Sequence, residues 1–325
     1  MKIKEKQTIF SLQIRDEDII CVKIILENSS YKIASLEKEQ ITSSDSDKTI
    51  AEKLKFILNK INFNRNNKLA ICIPRYLATV RYLDIPSDDL IEIENIIKLQ
   101  KSSYLPHQIE ELVYGYDILK ADQNGYSKIA LYLVPKNLIN RYLDILKSIN
   151  FKVDNIILSS YGFVNWYKYF NKEITELICM VVINLPYFEF IVISKDKLIF
   201  SRSFKAGIQD FLSQMQSTLQ VYEREKLDAP IKKIILIGKT NETRLLKGSL
   251  GNFSIEEVNL DINLDLPHLI GITLSKVKDS LNFIPPELKE ENRFLKIEKE
   301  IIKFIVLVIF IFIFLAFYFY KNIND

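Results

Sequence analysis

The spacing of apolar residues opens the chain with three strand-like runs, QTIFSLQI (residues 7–14), DIICVKIIL (18–26) and YKIASLEKEQI (31–41), rich in β-branched residues and parted by short polar turns. Runs joined this closely predict an antiparallel meander. The period then changes: Ile50, Leu54, Ile57, Leu58 and Ile61 fall on one face of a helix over 47–61, with Asp45 or Asp47 as its N-cap, before the strand KLAICIP (68–74). The same β-β-β-α-β order returns in the second half as LICMVVINL (177–185), YFEFIVIS (187–194), KLIFSRSF (197–204), a helix from Gln209 to Lys226 and the strand IKKIILIG (231–238). Recurrence of one supersecondary order predicts two related lobes in a single α/β protein.

Between the halves lies a block of different order. LATVRYLDIP (77–86) precedes a helix over 88–104, ELVYGYDILK (111–120) and SKIALYLVP (127–135) read as strands, and a second helix runs from Lys136 to Ile149. This predicts an inserted α+β subdomain, after which VDNIILSSYGFVNWYKYF (153–170) supplies a strand and a helix that close the first lobe. Near the end, IGITLSKVKDSL (270–281) reads as a short helix broken by Pro285 and Pro286, and helical sequence resumes over 287–303. The last long feature, FIVLVIFIFIFLAFYFY from Phe304 to Tyr320, holds no charge, Gly or Pro. With Ile301 and Ile302 it approaches the roughly 20 residues that cross a ~30 Å hydrocarbon core. It predicts a transmembrane helix containing Phe304, Ile309, Phe314 and Tyr320, with its tyrosines at the interface. Arg293, Lys296, Lys299 and Lys303 precede the run and Lys321 follows it, so the positive-inside rule predicts a cytoplasmic N-terminus.

Charge excludes one class of partner. The chain has 44 basic and 41 acidic residues, a net +3, with no Lys/Arg-rich block, which argues against nucleic acid. Cys21, Cys72 and Cys179 lie far apart inside apolar runs and read as small buried hydrophobes in a reducing compartment. Only His107 and His268 occur, neither at metal-ligand spacing, and no GxSxG, GxxxxGK[ST] or HExxH pattern is present. The sequence therefore predicts no metal, no cofactor and no catalytic group.

Several segments together resemble the PilM family of bacterial type IV pilus assembly proteins and the GspL family of type II secretion. They are RYLDIP (81–86), LPHQIEELVYGYDIL (105–119), VPKNLINRYLDILKSINFKVDNI (134–156), LIFSRSFKAGIQDF (198–211), STLQVYE (217–223) and HLIGITLSKVKDSLNFIPPEL (268–288). The resemblance implies a bilobed actin-like fold: a first lobe over 1–81 and 148–172, an inserted subdomain over 82–147, and a second lobe over 173–281. Residues 282–303, led by Asn282, Phe283, Ile284 and Pro285, are similar to the segment that opens PilN, the membrane partner of PilM, here joined to the head in one chain. The span over 304–320 and a short tail over 321–325 complete the order.

In actin-like ATPases glycine-rich turns let backbone N–H groups approach phosphate. The corresponding positions here are Asp16, Asp18, Asn184, Gly207 and Gly238, with the first turn acidic and the second, Asn184-Leu185-Pro186-Tyr187, lacking a donor at proline. This implies a degenerate nucleotide site. The expected role is then a non-catalytic platform protein in the bacterial inner membrane, binding a secretion ATPase and single-pass membrane subunits, with a homodimer left open. Two alternatives remain: a membrane-anchored ATPase in which Asp16 or Asp18 holds Mg²⁺, and a tail-anchored adaptor unrelated to secretion.

Overall fold

The computed structural model describes residues 7–27, 30–64, 67–99, 111–121, 125–171, 174–251, 253–260, 266–274, 281–285, 287–290, 301–302 and 304–313. They form two compact units, Met1–Phe283 and Ile284–Asp325.

In the first unit, β1 (Gln7–Ile14), β2 (Asp18–Glu27) and β3 (Ser30–Gln40) make the antiparallel meander. After α1 (Asp47–Lys60), β4 (Lys68–Ile73) lies parallel to β1, and β8 (Asn155–Leu158) lies parallel to β4. The sheet order is β3-β2-β1-β4-β8, which leaves the four-residue β8 at an edge. The second lobe repeats this arrangement. Strands β9 (Ile178–Asn184), β10 (Tyr187–Ser194) and β11 (Lys197–Lys205) are antiparallel, α5 (Phe211–Glu225) follows, and β12 (Lys233–Gly238) and, after α6 (Thr240–Lys247), β13 (Ser254–Asn259) add in parallel. Its order, β11-β10-β9-β12-β13, matches the first strand for strand and direction for direction. Phe188, Phe190, Phe200 and Phe211 fill its core against Val181 and Leu236.

A third, antiparallel sheet of order β5-β7-β6 joins β5 (Thr79–Ile85), β6 (Leu112–Ala121) and β7 (Ser127–Pro135), covered by α2 (Leu90–Leu99) through Ile93 and Ile97. Asp89 caps α2 by accepting from the amides of Ile91 and Glu92, both at 2.9 Å. Helix α3 (Lys136–Ser148) packs on α1, and its Tyr142 hydroxyl donates to the Ile14 carbonyl at 3.2 Å.

The cap of α1 differs from expectation. Ser46 Oγ accepts from the Thr49 amide at 3.2 Å, while Asp45 accepts from the Thr42 amide and pairs with Lys53, and Asp47 already stands in the first turn. Serine reaches the third amide as well as aspartate does, and the lysine draws Asp45 away from the cap.

Helices α4 (Ser159–Phe170) and α7 (Pro267–Leu274) cross at two glycines. A Cβ on Gly271 would stand 1.7 Å from the Gly162 carbonyl oxygen, and one on Gly162 would stand 2.3 Å from the His268 carbonyl oxygen. Backbone thus lies directly on backbone, a separation only glycine permits.

The second unit is helical over 287–290, 301–302 and 304–313. Large apolar side chains of the last stretch are exposed, Phe304, Phe310 and Phe312 at 66–71%. At 1.5 Å per residue, 304–313 measure about 15 Å, half of a ~30 Å core. Among the described residues no helix is long and apolar enough to cross a membrane, and Phe314 and Tyr320 lie outside them.

Candidate interlobe cleft and docking segment

The turn between β1 and β2 faces the turn between β9 and β10 across a cleft of about 120 Å³, with room for several waters or a small group. Its lining includes Arg15, Arg75, Tyr76, Asn184, Glu189, Lys239 and His268. The three acids of the first turn do not project into it. Asp16 and Glu17 are exposed, and Asp18 is buried, its two oxygens taken by Arg15 Nε and Nη2, both at 2.6 Å, and by Lys38 Nζ at 2.7 Å. Burial alone would raise the Asp18 carboxyl; the hydrogen bonds and charge of Arg15 and Lys38 outweigh it and hold the group below its ordinary value. A basic side chain therefore stands where the sequence placed acids.

The second turn contains a cis Leu185–Pro186 bond, and Asn184 at its start lines the cleft. Gly207 has open space around it, with Asp210 Oδ2 the nearest atom at 3.8 Å, and is not part of the lining. Gly238 is a packing glycine, since a Cβ there would come within 2.9 Å of Ile183 Cβ. At the floor, His268 Nε2 meets Gln13 Oε1 at 3.0 Å, and burial, aided by the Arg15 charge, lowers its pKa to about 3, so the ring is neutral. The three cysteines are buried and burial raises their thiols, as inert core residues. No cluster of His, Cys, Asp or Glu among the described residues could hold a metal, and His107 lies outside them.

Along the wall of the cleft runs a closed ring of hydrogen bonds. Arg75, just after β4, donates from Nε to Ser201 Oγ and from Nη2 to the Ser201 carbonyl, both at 2.7 Å. Ser201 Oγ lies 2.8 Å from Ser160 Oγ, Ser160 and Ser159 both donate to the Glu189 carboxylate, and Ser159 Oγ accepts from the Arg75 amide at 3.0 Å. Burial pushes the Glu189 carboxyl upward against the two serine hydrogen bonds and the Arg75 charge. Tyr82 of β5 joins the ring by accepting from the Ser201 amide at 2.9 Å, and Tyr76 stacks on Tyr187 with centroids 3.9 Å apart and planes 6° from parallel.

The second candidate site is the free edge of β8. There the Ile156 amide donates to Asn282 Oδ1 at 3.0 Å, the Phe283 amide donates to the Ile156 carbonyl at 2.9 Å, and Asn282 Nδ2 donates to Asn155 Oδ1 at 2.8 Å. The asparagine side chain acts as a short length of added strand, satisfying an edge that would otherwise stay open. Phe283 is 1% exposed, and Leu281 packs on Gly115 of β6. Ile284 and Pro285, first residues of the second unit, are also buried.

Sequence reasoning missed the ring and the glycine crossing. Glu189 alternates between Phe188 and Phe190, which is a visible polar position in an apolar strand, but nothing in one sequence pairs it with two serines 30 residues earlier. Two glycines within helical patterns were the only sign of the crossing, because a mid-helix glycine costs about 1 kcal/mol relative to alanine and asks for a reason.

No protein-family model matches the chain, and no curated protein is significantly similar to it in sequence. Its fold, however, is similar to several solved structures. The PilM-PilN type IV pilus biogenesis complex aligns with a TM-score of 0.66 at 14% identity, over 82% of this chain and 97% of that one. The cytoplasmic domain of EpsL, an inner-membrane component of the type II secretion system of Vibrio cholerae, aligns at 0.56 and 11% identity, over 86% and 99%. A Bacteroides thetaiotaomicron protein of actin-like ATPase fold and unknown function aligns at 0.51 and 14%, over 81% and 95%. Together with the two duplicated sheets, these likenesses assign an actin-like α/β fold to this chain.

Proposed function

We propose that this chain is a non-catalytic assembly-platform protein of a type IV pilus or type II secretion machine. Its actin-like head stands in the cytoplasm and residues 304–320 hold it in the bacterial inner membrane, linking a secretion ATPase to single-pass membrane subunits. The observation that carries this reading is the seating of Asn282 and Phe283 on β8, immediately before a segment that continues into an uncharged apolar run. A head of PilM-like fold, a PilN-like segment docked on it and an apolar tail follow one another in a single chain. Exposed Phe304, Phe310 and Phe312 support the anchor, since leaving such a side chain in water forgoes about 1.5–3 kcal/mol each.

The cleft supports the non-catalytic half of the reading. Mg²⁺ needs free carboxylate oxygens, and those of Asp18 are occupied by two cations. Calorimetry of Mg-ATP on the full-length protein in detergent, with phosphate release followed in parallel, separates this reading from the rival ATPase. Neither binding heat at micromolar nucleotide nor release of phosphate is expected; micromolar binding with steady phosphate release would replace the platform by the ATPase.

A further inference from the structure

We infer that the chain's own side chains latch the two lobes closed, so that the cleft between them stays shut with no ligand in it. The ring crosses between lobes at four of its five links: Arg75, Ser159 and Ser160 belong to the first and Ser201 and Glu189 to the second, and only the Arg75–Ser159 bond stays within one lobe. Each member finds its partner across the divide. The two charges, Arg75 and Glu189, are both held within this ring, and Arg75 Nη1 also donates to the Ala78 carbonyl at 2.5 Å.

A cleft that needs a ligand to close would, when shut without one, leave charged or polar groups aimed inward with nothing to meet. Here the buried polar atom left unpaired among the described lining residues is His268 Nδ1, on a neutral ring rather than a charge. Further ties add to the ring. The Tyr76–Tyr187 stack spans the lobes at the cleft, and β5 is bound to the second lobe twice, through the Tyr82 hydroxyl on Ser201 and through its ring stacked on Phe200 at 5.3 Å. Lys128 of β7 adds an ion pair to Glu225 of α5 at 3.2 Å. The inserted sheet is thus braced against the second lobe.

Removing Glu189 changes the balance sharply, because the Arg75 guanidinium then lies buried without its counter-charge and gains water only if the lobes part. The latch concerns the same cleft as the proposed function but does not depend on which machine the protein serves; failure to find a secretion partner would leave it standing.

The experiment measures the distance between spin labels at Lys55→Cys in α1 and Gln220→Cys in α5, both exposed helix positions in opposite lobes, on the full-length protein in detergent. Native Cys21, Cys72 and Cys179 are buried and stay unlabelled. A single narrow distribution is expected, identical with and without Mg-ATP. Glu189→Ala should add a longer population, shifting the open-to-closed ratio on the order of a hundredfold. If Glu189→Ala does not fold, Tyr76→Ala, which removes a half-buried ring from the stack, should show the same longer population. A broad wild-type distribution, one that Mg-ATP narrows, or a folded variant with unchanged distances would each overturn the latch.

Discussion

Gly271→Ala is expected to cost the head its fold, although it adds one methyl group. The new carbon would sit 1.7 Å from the Gly162 carbonyl oxygen, 2.7 Å from its carbonyl carbon and 2.9 Å from the Trp166 amide nitrogen. All three are backbone atoms of α4, so no rotamer change relieves the clash; α4 and α7 must move apart. Ordinary overpacking costs about 1–3 kcal/mol, and a displaced helix crossing exceeds that range. Since α7 also packs on β1, β2 and β4, separation of the helices strips cover from the first sheet. A fall of more than about 3 kcal/mol in unfolding free energy, or loss of folded protein on expression, is the expected result in denaturant titration. Gly251→Ala is the control: nothing lies within 4 Å of its added carbon, and its stability should stay within about 0.5 kcal/mol of the parent. Equal stability of Gly271→Ala and Gly251→Ala would show that the helices do not cross as described.

Phe283→Ala should free the docking segment from β8. Truncating a fully buried phenylalanine costs about 3–5 kcal/mol, at least as much as the three hydrogen bonds of Asn282 and Phe283 return at about 1 kcal/mol each. The segment should therefore leave as a unit, and the loss should appear locally before it appears in global unfolding. Hydrogen exchange reads this directly. Amides of Ile156 and Phe283, both hydrogen-bonded in the parent, should exchange at least a hundredfold faster in the variant, with new protease cleavage between α7 and Glu287. Unchanged protection of Ile156 would mean that Phe283 does not hold the segment in place.

Much of this fold was readable because both lobes obey simple periods. Runs such as DIICVKIIL and YFEFIVIS can only be strands at their length and β-branched content, and the switch to 3.6-residue spacing at Ile50 and Leu54 announces a helix. The repeat of one order in two halves then predicted the duplication that the sheets display. Local competition escaped the pattern. Ser46 rather than Asp45 caps α1 because Lys53 claims the aspartate, a contact eight residues away that spacing does not reveal. The cleft was harder still. Three acids in one turn suggested repulsion toward phosphate, yet Arg15 and Lys38 fold onto Asp18 and neutralise it, leaving Asp16 and Glu17 exposed. Gly238, which the resemblance puts in the adenosine-side turn, lies where an added Cβ would meet Ile183, a contact the sequence does not reveal. The ring of Arg75, Ser159, Ser160, Glu189 and Ser201 joins residues up to 126 positions apart, so it exists only once both sheets are in place. By contrast, the Asn282–Phe283 segment stood out only through its resemblance to the opening of PilN, and its seat on the edge of β8 is a contact that only the assembled sheet defines.

The most direct test of the platform role is affinity purification of the full-length protein from its native membrane in mild detergent, with the co-purifying chains identified by mass spectrometry. A secretion-type ATPase recovered together with small single-pass membrane proteins is the predicted result. Recovery of the protein alone, or with unrelated soluble chains, would contradict the platform role and leave an actin-like fold in other service.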